Sequence, residues 1–248
     1  PGMRTRRYRG FPLTVQTLSI VIPVYNEAAT LKTCVERVLA AEAPLAKDIL
    51  IINDGSIDNT AAVIETLLAE HPDAPIRIIT HVNNQGKGAA LRSAFSETRG
   101  DIVLIQDADL EYNPVDYPRL LKPILDGRAD VVYGSRFVGS EEKRVLFYWH
   151  SVGNKLLTTL SNMCTNINLT DMETCYKAFR REVLQRITIK SNRFGVEPEL
   201  TAKIAKAGWR IYEVGISYSG RTYTEGKKIT WKDGLAALIT IIRFRLFD

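Results

Sequence analysis

The segment LIQDADLEYNP, residues 104–114, joins the end of an apolar run to three carboxylates at alternate positions, Asp107, Asp109 and Glu111. An apolar run of this kind predicts a buried strand. Three like charges within five residues repel one another, so a folded protein holds them together readily only where they are exposed or neutralised by a cation. The segment therefore predicts a strand that ends in a charged site.

The same pattern of an apolar run followed by polar residues occurs three times before this segment. The runs are LSIVIPV, DILIIND and IRIITH, and they are followed by NE, DGSIDNT and NNQGKGAA. Residues with helical spacing lie between the runs and predict helices. Alternating strands and helices predict an α/β domain with a mainly parallel central sheet flanked by helices. Because ligands bind such sheets at the carboxyl ends of the strands, the polar segments predict a single site.

The three carboxylates favour a metal ion of a particular kind. Oxygen ligands without histidine or cysteine are typical of Mg2+ or Mn2+, and Mg2+ is commonly held by one or two carboxylates together with substrate phosphates. This interpretation makes Asp107, Asp109 and Glu111 metal ligands. The alternative is a solvated loop in which Glu111 and Asp116 lie near the start of a helix.

Two further segments admit both a binding role and a structural one. Asp54 precedes a glycine turn, where its carboxylate can accept hydrogen bonds from a nucleobase or a ribose, although DGSIDNT is also an ordinary turn into a capped helix. The GKG at residues 86–88 lacks the GxxxxGK[ST] frame, and no GxGxxG follows any strand, so neither an NTPase phosphate loop nor a dinucleotide site is predicted. Lys87 then either contacts a bound phosphate or merely begins a helix.

Composition narrows the class of protein. With 248 residues, 45% apolar and 25% charged, the chain fits one soluble domain. The net charge of +5 is typical of a protein with an anionic partner, but no nucleic-acid recognition motif accompanies it, so nucleic acid is not expected. The three cysteines, Cys34, Cys164 and Cys175, lack metal-ligand spacing, which predicts a reducing, cytoplasmic environment and places for them in or near the core.

The two ends of the chain differ in character from its middle. Residues 1–17 form a basic arm, in which Pro1 and Gly2 before Met3 are expected to be a remnant of cloning. The main domain is expected over residues 18–233, and an amphipathic helix over residues 234–248. No apolar run reaches the 18 residues of a spanning helix, so no membrane crossing is predicted.

Eight motifs in register carry a resemblance to a known family over about residues 18–235. The chain resembles glycosyltransferase family 2, whose fold is of the GT-A type, and within it the dolichyl- or polyprenyl-phosphate hexose synthases. The motifs are VIPVYNE, DGSIDNT, NNQGKGAA, DADLE, GSRF, DMETCYKAFRREV, FGVEPELTAKIA and YSGRTYTEGKKITWKDG.

The resemblance implies roles for the donor half of the site. Asp107, Asp109 and Glu111 match the metal motif, with Asp109 the most direct ligand and Glu111 standing where relatives often carry Gln. A metal there would neutralise the leaving nucleoside diphosphate. The other residues implied to hold the nucleotide sugar are Pro23, Tyr25, Glu27, Asp54, Lys87 and Ser135.

The resemblance also implies an acceptor half. Arg221, Lys227 and Lys228 match the basic residues that receive the acceptor phosphate, and Arg136 matches a phosphate clamp. A phosphate monoester has a second pKa of about 6, so it is largely dianionic at neutral pH and needs little or no general base. Two acids, Asp171 and Glu199, match positions near the reacting centre and the acceptor channel, where each either orients the acceptor, acts as a base or caps a helix.

Membrane contact is expected to be peripheral. Residues 144–163 place Phe147, Tyr148 and Trp149 beside basic residues and leucines at helical spacing, as an interfacial helix does, although a core helix has the same stripe. The C-terminal segment admits packing on the domain, oligomer contact or contact with a bilayer. Some relatives continue there into spanning helices, so this chain is expected to reach the cytoplasmic membrane face by surface contact or through a partner, either a membrane protein or a second copy.

These observations predict an inverting, metal-dependent hexosyltransferase that uses a nucleotide sugar and a polyprenyl phosphate. UDP-glucose is the favoured donor, because DMETCYKAF looks closer to the glucose branch, and GDP-mannose is the alternative. Three alternatives compete with this one. The first is transfer by a soluble enzyme of the same family to a hydroxyl acceptor, which needs a true base. The second is the reaction of a sugar nucleotidyltransferase, which releases pyrophosphate, and the third is a non-enzymatic role in nucleotide binding or as a scaffold.

Overall fold

Seven strands form one sheet in the computed structural model, which describes residues 16–139, 142–145, 147–225 and 231–246. The strand order is β3-β2-β1-β4-β6-β5-β7, and every neighbouring pair is parallel except those of β6, which runs antiparallel to β4 and β5. The predicted mainly parallel sheet is therefore confirmed. The strands are β1 Thr17–Val24, β2 Ala46–Asn53, β3 Ile76–Thr80, β4 Ile102–Ile105, β5 Val131–Ser135, β6 Lys177–Arg180 and β7 Ile211–Gly215.

The helices cover the sheet on both faces. Successive residues of a strand point to opposite faces, and in β4 and β5 every residue is buried, so neither face of these strands meets solvent. The helices are α1 Leu31–Ala40, α2 Thr60–Glu70, α3 Lys87–Glu97, α4 Tyr117–Leu125, α5 Tyr148–Thr165, α6 Arg181–Leu184, α7 Val196–Lys206 and α8 Trp231–Leu246.

The last helix packs on the domain. It contacts α5 and α7, and its buried side chains, Ala237, Ile241 and Phe244, follow one another at helical spacing. It begins at Trp231, three residues before the predicted boundary at residue 234. In the described parts of the chain, no helix combines the length and the apolar character needed to cross a bilayer.

The connections between strands decide where a ligand can bind. From β1, the chain proceeds outward to β2 and β3 and then returns to the other side of β1 to form β4. Such a reversal leaves a crevice beyond the carboxyl ends of the two inner strands. The segments that follow β1 and β4 begin at Tyr25 and Gln106, so VIPVYNE and DADLE flank that crevice.

Candidate active site

A cleft of about 450 Å³ lies at the carboxyl ends of the parallel strands. Segments that follow six of the strands meet there, because parallel strands bring their carboxyl ends to one edge of the sheet. The residues proposed from the sequence that line it are Pro23, Tyr25, Glu27, Asp54, Lys87, Asp107, Asp109, Glu111, Arg136 and Arg221.

The guanidinium group of Arg221 lies among the acids of the cleft. Its Nη2 is 3.0 Å from Oδ2 of Asp109, its Nη1 is 3.5 Å from Oε2 of Glu27, and its Nε is 3.5 Å from Oε1 of Glu111. The backbone N–H of Arg221 also donates to Glu111, at 2.8 Å. Arg221, predicted from the sequence to receive a phosphate, thus serves in this structure as a counter-ion for three carboxylates.

A strained turn aims these acids into the cleft. Leu110 has a φ of 64°, in the left-handed region that a leucine rarely adopts. Oδ1 of Asp109 accepts the backbone N–H of Glu111, at 3.1 Å, which closes the turn around that residue. Glu111 is held further by the hydroxyl of Tyr218, which donates to its Oε2 at 2.7 Å. The surrounding contacts therefore fix a backbone conformation that leucine alone would not choose.

The acids have the composition and charge that suit a divalent cation. The atoms that they offer to a metal are all carboxylate oxygens, the ligands that Mg2+ and Mn2+ prefer. Burial, together with the nearby charges of Asp107 and Glu111, raises the pKa of Asp109 to about 7, even though Arg221 opposes the shift. Four carboxylates, counting Glu27, face two cations, Lys87 and Arg221, so the pocket retains an excess of negative charge. The residue types suit the metal that the sequence predicted, although in this structure the carboxylates of Asp107, Asp109 and Glu111 do not meet around one point, and Arg221 lies among them.

Asp54 is built into the loop that forms one wall of the cleft. It is buried, and its carboxylate accepts the backbone N–H of Gly86 at 2.7 Å and of Gln85 at 3.1 Å. Nδ1 of His81 lies 2.6 Å from its Oδ1, and Nδ2 of Asn84 donates to its Oδ2 at 3.0 Å. These contacts occupy most of the acceptor capacity of the carboxylate. Asp54 therefore shapes this wall of the cleft through the loop at residues 84–86.

Arg136 reaches the cleft from the end of β5, and Asp171 holds it there. Asp171 is fully buried and binds the guanidinium with both oxygens, each at 2.7 Å. Burial raises the pKa of Asp171, but Arg136 outweighs that effect and lowers it below its ordinary value, so the carboxyl group stays ionised. Ser135 lies behind the cleft, where its Oγ accepts the N–H groups of Phe137 and Val138 and forms the turn that presents Arg136.

Two acids that the sequence analysis did not select, Glu173 and Glu197, also line the cleft. Glu197 pairs with the fully buried Lys177, and its Oε1 lies 3.4 Å from Nζ of Lys87. The amino group of Lys87 is also 2.9 Å from Asp107, which connects these acids to the metal motif. The lysine is thus an ion-pair partner inside the site in addition to being the first residue of α3.

Glu199, by contrast, lies outside the cleft. Its two oxygens accept the backbone N–H groups of Lys190 and Ser191, both at 2.7 Å, and Nζ of Lys203 lies 2.6 Å from Oε1. Residues 191–193 in turn pack so closely against Gly86 and Gly88 that a Cβ atom at either glycine would lie within 2.5 Å of a carbonyl oxygen. Glu199 therefore supports a loop that contributes Arg193 and Phe194 to the cleft.

A second cavity of about 760 Å³ lies beside α5, next to the cleft. Arg136 and Tyr218 line both cavities. The second cavity carries basic side chains, Lys143, Arg144 and Lys155, together with apolar ones such as Val145, Phe147 and Leu169. Lys227 and Lys228, predicted to bind the acceptor phosphate, lie outside the described residues.

Comparison with known proteins identifies the family. The family model described as glycosyl transferase family 2 matches residues 19–188, which is more than half of the chain. The chain belongs to glycosyl transferase family 2. The match confirms the resemblance seen in the motifs. The matched residues of this family 2 glycosyltransferase include Asp107, Asp109 and Glu111, together with Arg136, Asp171 and Glu173.

Two kinds of relative are similar over most of the chain. A polyprenol monophosphomannose synthase of Mycolicibacterium smegmatis is 32% identical over 230 residues, which cover 89% of this chain and 85% of the relative. An undecaprenyl-phosphate 4-deoxy-4-formamido-L-arabinose transferase of Shewanella sediminis is 31% identical over 86% of this chain. The alignment covers 62% of that transferase, so the chain spans less than two thirds of its length.

Solved structures confirm the GT-A fold. Glucosyl-3-phosphoglycerate synthase of Mycobacterium tuberculosis, crystallised with Mn2+, uridine diphosphate and phosphoglyceric acid, has a TM-score of 0.73 and 19% identity. The superposition covers 94% of this chain and 80% of that one. The same enzyme, crystallised with Mg2+ and uridine diphosphate, has a TM-score of 0.69 and 21% identity, over 92% of this chain and 79% of that one. At these identities the likeness concerns the fold alone.

The sequence contained one signal that bears on the two acids of α7. Glu197 and Glu199 are two positions apart in a helix, and such residues point about 200° apart, so only one of them can face a given surface. That spacing excludes two acids in one cleft, but it does not indicate which of them faces inward. The contacts of Glu199 with residues 190 and 191 decide the question in favour of Glu197.

Proposed function

We propose that this family 2 glycosyltransferase transfers a hexose, with inversion at the anomeric carbon, from a nucleoside-diphosphate sugar to a polyprenyl phosphate, with Mg2+ or Mn2+ as cofactor. The observation that carries the proposal is that the acid-lined cleft and the basic, apolar cavity beside α5 adjoin at two shared lining residues, Arg136 and Tyr218. One end suits a metal and a diphosphate, and the other suits a phosphate attached to an apolar chain. The polyprenyl-phosphate names of both kinds of relative agree with it.

The donor binds in the first cavity. The nucleoside lies against Pro23, Tyr25 and the loop that Asp54 organises, with UDP-glucose as the favoured donor and GDP-mannose as the alternative. Asp107, Asp109 and Glu111 would hold the metal, which when bound neutralises negative charge on the leaving diphosphate. In this structure Arg221 neutralises Asp109 and Glu111. A bound metal would take over that role, and the guanidinium of Arg221 would then contact phosphate instead.

The acceptor phosphate binds at the junction of the two cavities. Arg136 faces it there with a guanidinium fixed by Asp171, and Arg144 and Lys143 extend the positive surface beside α5. Lys227 and Lys228 follow Arg221 in the sequence and would add to that charge. A dianionic phosphate attacks without a general base. In this proposal Asp171 therefore acts by positioning Arg136, because a fully buried, ion-paired carboxylate is poorly placed to take a proton.

The lipid chain leaves along a surface suited to a bilayer. Around the start of α5, the exposed side chains include Val145, Phe147, Tyr148 and Trp149. Basic residues, Lys143 and Arg144, lie beside them. Aromatic residues flanked by basic ones are typical of segments that lie in a membrane interface. We therefore place the working enzyme at the surface of the cytoplasmic membrane, where its acceptor resides.

The decisive experiment is turnover with purified protein, Mn2+ or Mg2+, a polyprenyl phosphate in detergent and a panel of UDP- and GDP-sugars. We expect a glycolipid from one donor, with equimolar release of the nucleoside diphosphate. Asp109→Ala and Arg136→Ala should each reduce the rate by at least about 100-fold, since each removes a charge that contacts a substrate phosphate or its metal.

Arg128→Ala is the matched control, because Arg128 is exposed and pairs with Asp126 away from the cleft. It should retain the wild-type rate. Release of nucleoside diphosphate to a soluble saccharide but not to the lipid would refute the acceptor and favour the hydroxyl-acceptor enzyme. Release of pyrophosphate would instead identify a sugar nucleotidyltransferase.

A further inference from the structure

Two buried carboxylate oxygens in the cleft lack a hydrogen-bond donor. Among the described residues, Oε1 of Glu173 and Oε1 of Glu197 are both buried without a hydrogen-bond partner. Both side chains line the same cavity. Leaving a buried acceptor unpaired disfavours the folded state, so such groups usually have a role or a ligand.

The neighbouring cations are already engaged by other acids. Lys177 pairs with Glu197 and donates to the carbonyl of Thr174. Lys87 pairs with Asp107 at 2.9 Å and lies 3.4 Å from Glu197. Within the described part of the chain, no cationic side chain comes within 4.0 Å of the carboxylate of Glu173. Glu173 therefore leaves this part of the cleft with a surplus of negative charge and acceptor capacity.

The position of this pair corresponds to the sugar of the donor. If the cleft binds a nucleotide sugar as proposed, the diphosphate lies beside Asp109 and Glu111, and the sugar must lie between the diphosphate and the acceptor at Arg136. Glu173 is close enough to Arg136 and Glu197 for both charges to act on its own. The cavity wall that the sugar meets there is thus formed by carboxylates that need donors, and hexose hydroxyl groups are donors.

We propose that Glu173 and Glu197 recognise the transferred sugar by accepting hydrogen bonds from two of its hydroxyl groups, and that Glu173 excludes sugars that carry a carboxylate. The substrate class is then a neutral hexose. A uronic acid in the same position would place a third carboxylate beside those of Glu173 and Glu197. Repulsion among the three like charges would weaken its binding. This inference rests on the proposed function for the location of the donor, and it assigns the two residues to specificity.

The test measures binding, so that it does not depend on the acceptor. Isothermal titration with Mg2+ compares UDP with UDP-glucose, and GDP with GDP-mannose, for the wild type and Glu173→Leu. The pH is 8.0, because burial and the charge of Glu197, only partly offset by Lys177, raise the pKa of Glu173 to about 7. Glu173→Leu should weaken the sugar nucleotide by about 10- to 100-fold, the range for one hydrogen bond to a charged group, and leave the nucleoside diphosphate unchanged.

A second variant keeps the shape of the side chain and removes only its charge. Glu173→Gln should increase the affinity for the uronic-acid donor that shares the preferred nucleoside, UDP-glucuronic or GDP-mannuronic acid, by at least about tenfold relative to the neutral donor. Even at an effective dielectric constant of 20, the repulsion between two like charges about 4 Å apart is large enough to lower an affinity by more than tenfold. Glu65→Gln, on the exposed surface of α2, is the matched control and should change none of these ratios.

Three results would overturn the inference. The first is an unchanged ratio of sugar-nucleotide to nucleoside-diphosphate affinity in both Glu173 variants. The second is an equal loss of both affinities, which would make Glu173 a structural residue of the whole cleft. The third is failure of the wild type to bind any of the sugar nucleotides. Failure of glycolipid synthesis, with the binding differences intact, would instead refute only the proposed acceptor.

Discussion

The Glu199→Gln substitution should destabilise the fold by about 1.5–3 kcal/mol and leave the chemistry of the cleft nearly unchanged. The buried carboxylate accepts two partly buried backbone N–H groups at 2.7 Å. An amide offers a single oxygen, so its NH2 group must face one of these donors. Losing a hydrogen bond to a charged group weakens stability by about 1.5–3 kcal/mol. Loss of the ion pair with Lys203 contributes in the same direction.

Thermal unfolding followed by circular dichroism measures this loss. For a chain of this size, about 2–4 °C per kcal/mol predicts a melting temperature lower by roughly 3–12 °C. Glu65→Gln, an exposed glutamate on α2, should stay within about 0.5 kcal/mol of the wild type and serves as the matched control. Glycosyl transfer by Glu199→Gln, assayed well below its melting temperature, should fall by no more than a few-fold. Wild-type stability combined with abolished turnover would refute the reasoning and make Glu199 a catalytic base.

Three other substitutions test separate parts of the structure. Asp109→Asn should weaken Mn2+ binding by at least about tenfold in a direct titration, because it removes a charged oxygen ligand; unchanged metal affinity would contradict the site. Replacing Phe147 and Trp149 together with serine should reduce sedimentation with anionic vesicles several-fold without altering nucleotide affinity, since both side chains are exposed; equal sedimentation would exclude this surface. Burial raises the pKa of Asp130, but hydrogen bonds from Arg210 outweigh it and lower that pKa. Its stabilisation is therefore present above about pH 4 and lost as the pH falls through the lowered pKa. Asp130→Asn should accordingly destabilise the protein at pH 7, with a difference from the wild type that shrinks as the pH falls below about 4, and a difference that does not shrink in acid would contradict this.

Much of the donor site could be predicted from the sequence, because it lies directly after the strands. Asp107, Asp109 and Glu111 follow β4, and Tyr25 and Glu27 follow β1, so strand order alone brings them to one cleft. The metal chemistry followed from residue type, since oxygen ligands without histidine or cysteine leave few alternatives.

The second half of the site could not be predicted in the same way. Arg221 reaches Asp109 across more than 100 residues of sequence, and its pairing with three acids depends on how the segment after β7 folds back over the cleft. The sequence also could not predict whether Glu197 or Glu199 faces the cleft, because a spacing of two residues in a helix indicates only that they point to opposite sides. Glu173 was not predicted as a site residue, because Asp171 in the same segment, DMETCYK, matched the family's functional residue.

What the sequence determined by itself was the class of fold, the place of the site and the family. These depend on local patterns, namely apolar runs, helical spacing and motifs in register, which are properties of short segments of chain. What only the tertiary structure decided was the environment of each charge. Asp171 is buried against Arg136, Glu199 is turned toward a backbone loop, and Oε1 of Glu173 lacks a hydrogen-bond donor among the residues that the structure describes. The role of a carboxylate depends on its burial and on the donors around it, and those donors come from segments that only folding brings together.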